Sequence, residues 1–219
     1  MIKDNIIFLK EFINEFQSTG APFPTSKWAA RALIYPLKQR CRPSALKALE
    51  LGPGTGSVTV RILEQLREQD SLTVCEINPR FLSLLRAKLN ENPHYHLHRE
   101  RVTFYGCAVQ ELPEDQKYDV IICALPFLNF DLPTVENIFA KLKRLSTDET
   151  IMTYYEYIGL RSVSLAISPP RQRQRMKELD SFFKGIFSKH LSDRFQVWFN
   201  LLPINIYMLK HIDELKIAV

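Results

Sequence analysis

Apolar residues Ile2, Ile6, Leu9, Ile13 and Phe16 recur at steps of four, three, four and three, which predicts one stripe of an amphipathic helix. A break follows at Gly20-Ala21-Pro22-Phe23-Pro24. Thr25 or Ser26 then caps a second helix reaching about Leu33, ended by Tyr35-Pro36 because proline disfavours helix in the residue before it. Beyond residue 40 short apolar runs alternate with helical stretches. Strands are predicted at Ala45–Leu51, Leu72–Glu76, Val102–Tyr105, Tyr118–Ala124 and Ile151–Tyr157, and helices at Val58–Glu68, Pro79–Leu89 and Val135–Leu145. Crossovers of more than about ten residues require parallel pairing, so the pattern predicts a doubly wound α/β sheet covered on both faces. Arg194–Phe199 and Ile204–Leu209 flank a link too short for a crossover, which predicts a hairpin and one antiparallel strand closing the sheet. The organisation expected is a helical extension over 1–40, serving as a cofactor lid or a membrane-surface contact, and one domain over 41–219.

Composition narrows the class. At 219 residues, 46% hydrophobic and 24% charged, the chain is neither disordered nor fibrous. No apolar run approaches a bilayer span, and the first fifteen residues are broken by Lys3, Asp4, Lys10 and Glu11, so neither a membrane span nor a secretory leader is predicted. Cys41, Cys75, Cys107 and Cys123 form no C-x-x-C pair, and a reducing cytoplasm fits them. The net charge of +5 is unevenly placed: residues 1–160 hold 19 basic and 19 acidic side chains, so the excess lies in the tail. There, Arg161, Arg171, Arg173, Arg175 and Lys177 occur with no acid among them, and the part from Ser168 to Lys177, with its Pro169-Pro170 pair, predicts a mobile loop leading into a helix.

Three of the seven glycines, Gly52, Gly54 and Gly56, crowd into five positions directly after the first strand. Glycine there permits positive φ and brings backbone N–H groups close to a ligand at the carboxyl edge of the sheet. The following Ser57-Val58-Thr59 excludes a Walker loop, and the spacing is G-x-G-x-G rather than G-x-G-x-x-G. Glu76 ends the next strand, where a carboxylate can accept both hydroxyls of a ribose. Glu50, beside the loop, would repel a pyrophosphate and suits an ammonium. A ligand joining ribose and ammonium is S-adenosylmethionine; a plain tight turn and a nicotinamide site are the alternatives. His94, His96 and His98 alternate in what an extended reading would place on one side, yet no cysteine or carboxylate stands at supporting spacing, and no metal is assigned.

The run Glu50-Leu51-Gly52-Pro53-Gly54-Thr55-Gly56, with Glu76 behind it, resembles the first motifs of the class I S-adenosylmethionine-dependent methyltransferases, over residues 45 to 209. The resemblance implies a Rossmann-like, mostly parallel seven-stranded sheet with an antiparallel last strand. It implies that Glu50, Gly52, Gly54, Gly56, Glu76, Ile77, Cys107, Ala108, Ala124 and Leu125 line the cofactor. Gly106-Cys107-Ala108 departs from the family's Gly-Asp-Ala, so adenine recognition there leans on backbone and apolar contacts. Among subfamilies, Ala124-Leu125-Pro126-Phe127-Leu128-Asn129-Phe130, Gly20-Ala21 with Pro24-Thr25-Ser26, and the segment Asn200 to Pro203 resemble the bacterial phospholipid N-methyltransferases, which convert phosphatidylethanolamine stepwise to phosphatidylcholine. The rRNA adenine dimethyltransferases are a more distant likeness, because Ala124 carries no oxygen for a planar adenine amine.

On that resemblance Phe127, Tyr155 and Tyr157 are the candidate acceptor-site residues, with Phe130 beside them, since aromatic faces stabilise a methylated ammonium. Strand alternation sends Tyr154 to the opposite face. A phospholipid substrate and an anionic membrane surface, met by the N-terminal helix with Arg161, Arg171, Arg173, Arg175 and Lys177, are the expected partners of a cytoplasmic enzyme at the inner membrane face. The same basic patch would serve an RNA backbone. The rival functions are RNA adenine N6-methylation and a non-catalytic module that binds S-adenosylmethionine.

Overall fold

A computed structural model describes residues 25–40, 44–200 and 202–217. The N-terminal amphipathic stripe and Cys41 lie outside the described residues. The strands are β1 (Lys47–Leu51), β2 (Ser71–Cys75), β3 (Val102–Tyr105), β4 (Tyr118–Cys123), β5 (Ser146–Tyr157), β6 (Leu191–Val197) and β7 (Ile204–Leu209). They form one sheet in the order β3-β2-β1-β4-β5-β7-β6, in which only β7 runs antiparallel to its neighbours. The chain enters at the centre, winds out to β3, and returns to β4 on the other side of β1. That reversal leaves a crevice at the carboxyl ends of β1 and β4.

The antiparallel strand does not close the sheet at its edge. β7 inserts between β5 and β6, and the reason lies in the side chains: β7 buries Ile204, Ile206 and Leu209 completely, whereas β6 exposes Leu191, Ser192, Asp193, Arg194 and Gln196. A polar, charged strand is suited to the rim, where it blunts edge-to-edge pairing.

Helix α1 (Lys27–Leu33) is capped by Ser26, whose hydroxyl accepts from Ala29 N at 3.2 Å, and the short α2 (Tyr35–Lys38) restarts at Pro36. Thr153 donates to the Leu33 carbonyl at 2.8 Å, tying α1 to β5. α3 (Ser57–Leu63) packs on the same face, and Leu33, Ala48, Ile62, Val74, Ile122 and Ile206 belong to its core. α6 (Leu132–Leu145) and the long α8 (Pro170–His190) cover the opposite face over Leu49, Ile121, Phe139, Tyr154 and Phe183. The strand residues alternate between the two cores, as a sheet buried on both sides requires, except where β4 shifts register between Tyr118 and Val120.

Three local expectations are corrected. α4 (Pro79–Asn90) is followed by α5 (Pro93–His98), started by Asn92 as cap and Pro93 at the first turn, so the three histidines lie on a helix and not on an extended segment. At about 100° per residue His96 points away from His94 and His98. His96 Nε2 is 2.9 Å from the Asn90 carbonyl, and among the described residues no group of three His, Cys, Asp or Glu could hold a metal. The basic stretch is helix from Pro170, not a loop, because a proline pair is well placed at a helix start. Finally, β6 ends at Val197, leaving Trp198 and Phe199 beyond the strand.

Candidate functional site

The crevice is shaped by the glycine run. Gly52, Gly54 and Gly56 have φ of 68°, 54° and 80°, the left-handed region that L side chains rarely enter. Two of them also permit close approach: a Cβ on Gly56 would stand 2.4 Å from Leu85 Cδ1, and one on Gly52 would stand 3.0 Å from Leu125 Cδ2. At Gly54 a Cβ would meet nothing within 4 Å, so the middle of the loop faces open space. Hydrogen bonds lace the surrounding strand ends, with Gly52 N donating to Cys75 O (2.9 Å) and Ala124 N to Leu51 O (2.8 Å). Lys88 on α4 donates to Thr55 O at 3.1 Å and holds the loop tip from the side.

Glu76 turns toward this loop. Its Oε2 accepts from Gly54 N (3.2 Å) and its Oε1 from Asn78 N (2.9 Å). An ionised carboxylate has about four acceptor sites, so capacity remains for two hydroxyls of a ligand. The next side chain, Ile77, is 67% exposed at the same rim, an apolar surface fit to lie against a base.

Glu50 sits beneath the loop, fully buried, and neither carboxylate oxygen has a hydrogen-bond partner. Burial raises its pKa to about 8; the neighbouring Thr59 lowers it and Glu76 raises it further. Thr59 Oγ1 is itself buried and outside hydrogen-bond geometry, so Thr59 satisfies little of the carboxylate's demand. An unpartnered buried carboxyl beneath a loop whose middle, at Gly54, faces open space is what an ammonium ligand would complete. The residues present therefore fit the amino acid and ribose of S-adenosylmethionine.

The adenine side departs from the expectation of free backbone. Ala108 N donates to Glu111 Oε2 at 3.0 Å, so that amide is already engaged. Glu111, three residues after Ala108 in a 3-10 turn, drew no notice in the sequence, although an acid three residues beyond a turn start is a recognisable capping signal. Cys107 is half-buried, its carbonyl accepts from Cys75 Sγ at 3.3 Å, and burial pushes its thiol pKa up.

At the acceptor end, Phe127, Tyr155 and Tyr157 border one cavity of about 10 Å³, together with Leu125, Pro126 and Leu160. That is room for no more than about one water. The three do not act alike. The Phe127 ring is buried on the α6–α8 face, 5.3 Å from Phe139, 5.6 Å from Tyr154 and 5.7 Å from Phe183, so it is committed to the aromatic core and is withdrawn as an acceptor contact. Tyr155 and Tyr157 face the other core, edge to face at 5.9 Å. Burial pushes both of their pKa values up, so both stay protonated at neutral pH.

Between them in sequence, Glu156 points to the α8 side and holds Arg161 in a bidentate pair of 2.9 and 2.5 Å. Arg161 also reaches Asp180 at 3.3 Å and lies 4.7 Å over the Phe183 ring. Arg161 is thus a buried strut between β5, α8 and the short α7 (Leu160–Ile167), not part of a basic surface. Arg175 is half-buried and donates to Phe130 O at 3.0 Å, which leaves Arg171, Arg173 and Lys177 as the exposed cations of that stretch. No described helix is long and apolar enough to cross a membrane.

Comparison with known proteins agrees with this geometry. A family model described as a methyltransferase domain matches residues 48–148. An ornithine lipid N-methyltransferase of Singulisphaera acidiphila is 24% identical over 144 residues, covering 66% of this chain and 73% of that protein. Among solved structures, the O-methyltransferase TomG of Streptomyces achromogenes in complex with S-adenosylmethionine superposes with a TM-score of 0.62 at 14% identity, covering 92% of this chain and 89% of that one. The glycopeptide N-methyltransferase MtfA, also complexed with S-adenosylmethionine, gives 0.52 at 15%, covering 87% and 68%. These share the fold while their names point to different acceptors. Glycine cradle, paired glutamates, strand order and family match converge on one conclusion: residues 48–148 match a methyltransferase domain, the described sheet has the fold of S-adenosylmethionine-dependent methyltransferases, and S-adenosylmethionine is the cofactor that the crevice fits.

Proposed function

We propose that the acceptor is the headgroup amine of a phospholipid, phosphatidylethanolamine, methylated stepwise toward phosphatidylcholine. The observation that carries this reading is the wall after β4. Ala124 offers no oxygen to a planar base amine, and the adjoining cavity is bordered mostly by apolar side chains, Leu125, Pro126, Phe127, Leu128 and Leu160, with two protonated tyrosines and with Glu156, which is paired to Arg161. The relative from Singulisphaera, named for a lipid and for transfer to nitrogen, supports the same choice.

The cofactor supplies an electrophilic methyl group on a sulfonium. When bound, it would be held by Glu50 at its ammonium and by Glu76 at its ribose, over the open space that Gly54 leaves. The chain's remaining task is to present a neutral amine in line. An alkylammonium ionises near 10.4 in water, and apolar walls such as Leu125 and Pro126 favour the neutral form. Tyr155 and Tyr157 remain phenols, so they orient the nitrogen by hydrogen bonding rather than removing its proton. Their ring faces stabilise the cation as methyl groups accumulate. With only about 10 Å³ between these walls, the cavity must widen to admit a headgroup.

The test supplies methyl-labelled cofactor with either phosphatidylethanolamine in anionic vesicles or unmodified ribosomal RNA. Label in the lipid fraction alone is expected. Label in RNA alone would overturn the lipid assignment.

A further inference from the structure

Large aromatic side chains standing in water as a group mark a contact surface. Trp28, Trp198 and Phe199 are 47%, 62% and 78% exposed; Trp28 and Phe199 meet, and Trp198 precedes Phe199 at the same turn. The rings of Trp28 and Phe199 lie 6.0 Å apart, and Ser26 N donates to Asn200 Oδ1 at 3.1 Å, pinning the start of α1 to the β6–β7 turn. Lys27 Nζ and Arg31 Cζ sit 5.5 and 5.6 Å from the Trp28 ring centre. Residues 25–40 contain Lys27, Arg31, Lys38 and Arg40 but no acid, and residues 195–204 contain no charge at all. The surface is therefore aromatic and cationic with no acid in either contributing segment.

Its position follows from topology. β6 is antiparallel to β7, which is antiparallel to β5, so the turn between β6 and β7 stands at the carboxyl edge, where the site is. Ile158 N donates to Pro203 O at 2.8 Å directly after Tyr157, and Thr25, just before the Ser26 cap, lies beside Tyr155. The turn that carries the aromatic tip is thus tied to the end of β5 that bears the two tyrosines.

We propose that Trp28, Trp198 and Phe199, with Lys27 and Arg31, form a docking surface for an anionic lipid bilayer. Indole rings favour the headgroup level, a phenyl ring reaches below it, and two cations beside them meet lipid phosphates. Single-stranded RNA would be tracked by cations spread along a groove between stacking platforms. Here both cations fold onto one indole, and the most exposed ring stands at a hairpin tip in an uncharged segment. The inference rests on the lipid-acceptor reading for its purpose, because docking there sets the tyrosine cavity against the headgroups. It relocates the membrane contact from the Arg161–Lys177 stretch, two of whose cations are engaged inside the protein.

The chain has only two tryptophans, both in this surface, so its intrinsic fluorescence reports on nothing else. The full-length protein is titrated with vesicles of phosphatidylglycerol and phosphatidylcholine, and with pure phosphatidylcholine. A blue shift with the anionic vesicles, quenched by brominated acyl chains and weakened by salt, is expected. Trp198→Ser/Phe199→Ser should bind vesicles at least about tenfold more weakly, and Lys27→Glu/Arg31→Glu should lose the preference for anionic lipid, both with unchanged thermal unfolding and cofactor affinity. Four results would overturn the proposal: no shift with vesicles, full vesicle affinity in the aromatic variant, quenching by a single-stranded RNA in place of vesicles, or a blue-shifted emission already in the free protein. The last would mean that residues 1–24 or a second copy cover the surface, and sedimentation velocity separates the two. If vesicles bind at this tip but phosphatidylethanolamine gains no methyl group, the acceptor assignment fails and the docking surface stands.

Discussion

At the β1–β2 end of the carboxyl edge, three glycines at positive φ leave an open cradle over a buried, unpartnered carboxyl. At the β4–β5 end, aromatic and aliphatic side chains close on a cavity with room for about one water. The first region is made of backbone conformation and two carboxylates held in place before any ligand arrives. The second is made of packing, and side chains that look chemically apt in the sequence are divided there between a site and a core. Preorganisation thus serves the part that is the same for every reaction of this fold, while the acceptor end has to yield to its substrate.

The division predicts opposite phenotypes for neighbouring aromatics. Phe127→Ala should lower stability by about 3–5 kcal/mol, because it empties a position between Phe139, Tyr154 and Phe183. Tyr157→Phe should cost about 1 kcal/mol or less and appear in turnover instead. Denaturant midpoints and single-turnover rates on both variants check this; a stable Phe127→Ala protein with lost turnover would return that ring to the acceptor site.

The buried carboxyl makes the open end pH-sensitive. Glu50 titrates at about 8 in the folded, cofactor-free protein against an ordinary value of 4.5. Its stabilising contribution is complete below 4.5 and is lost as pH rises toward 8, with a slope approaching about 1.4 kcal/mol per pH unit and a total on the order of a few kcal/mol. Glu50→Gln should flatten that slope in urea unfolding at pH 5, 6.5 and 8. Parallel curves for the two proteins would show that the carboxyl is already compensated.

Within the cradle, Gly56→Ala should destabilise the fold by about 2–3 kcal/mol, combining left-handed strain with the 2.4 Å approach to Leu85. Gly54→Ala has strain alone, about 1 kcal/mol, and should weaken cofactor binding while the fold persists. The smallest change is expected for Glu76→Gln, which keeps the hydrogen bond from Gly54 but weakens ribose binding, raising the cofactor Kd about threefold by calorimetry. Unchanged affinity would give that carboxylate another role.

How much was legible differs by region for a physical reason. Strand positions came from apolar runs, Ser26 was one of two caps anticipated, and the glycine run announced the crevice, because each of these is a local property of a few adjacent residues. Helix α5 was not foreseen: Asn92-Pro93 is a sound start signal, but the alternating histidines masked it with a period of two. In the sequence the basic stretch reads as one surface, because charge along a sequence does not reveal that Glu156 and Asp180 wait for Arg161, or the Phe130 carbonyl for Arg175.

The sequence by itself determined the alternating architecture, the crevice after β1 and the two carboxylates that serve it, since backbone φ and strand period are encoded within short windows. Only the tertiary structure decided that Phe127 belongs to the core, that β7 lies inside β6, and that Trp28 meets Phe199. Each of those depends on which distant segments compete for the same buried space, and that competition is settled by packing across the sheet rather than by any neighbouring residues in the chain.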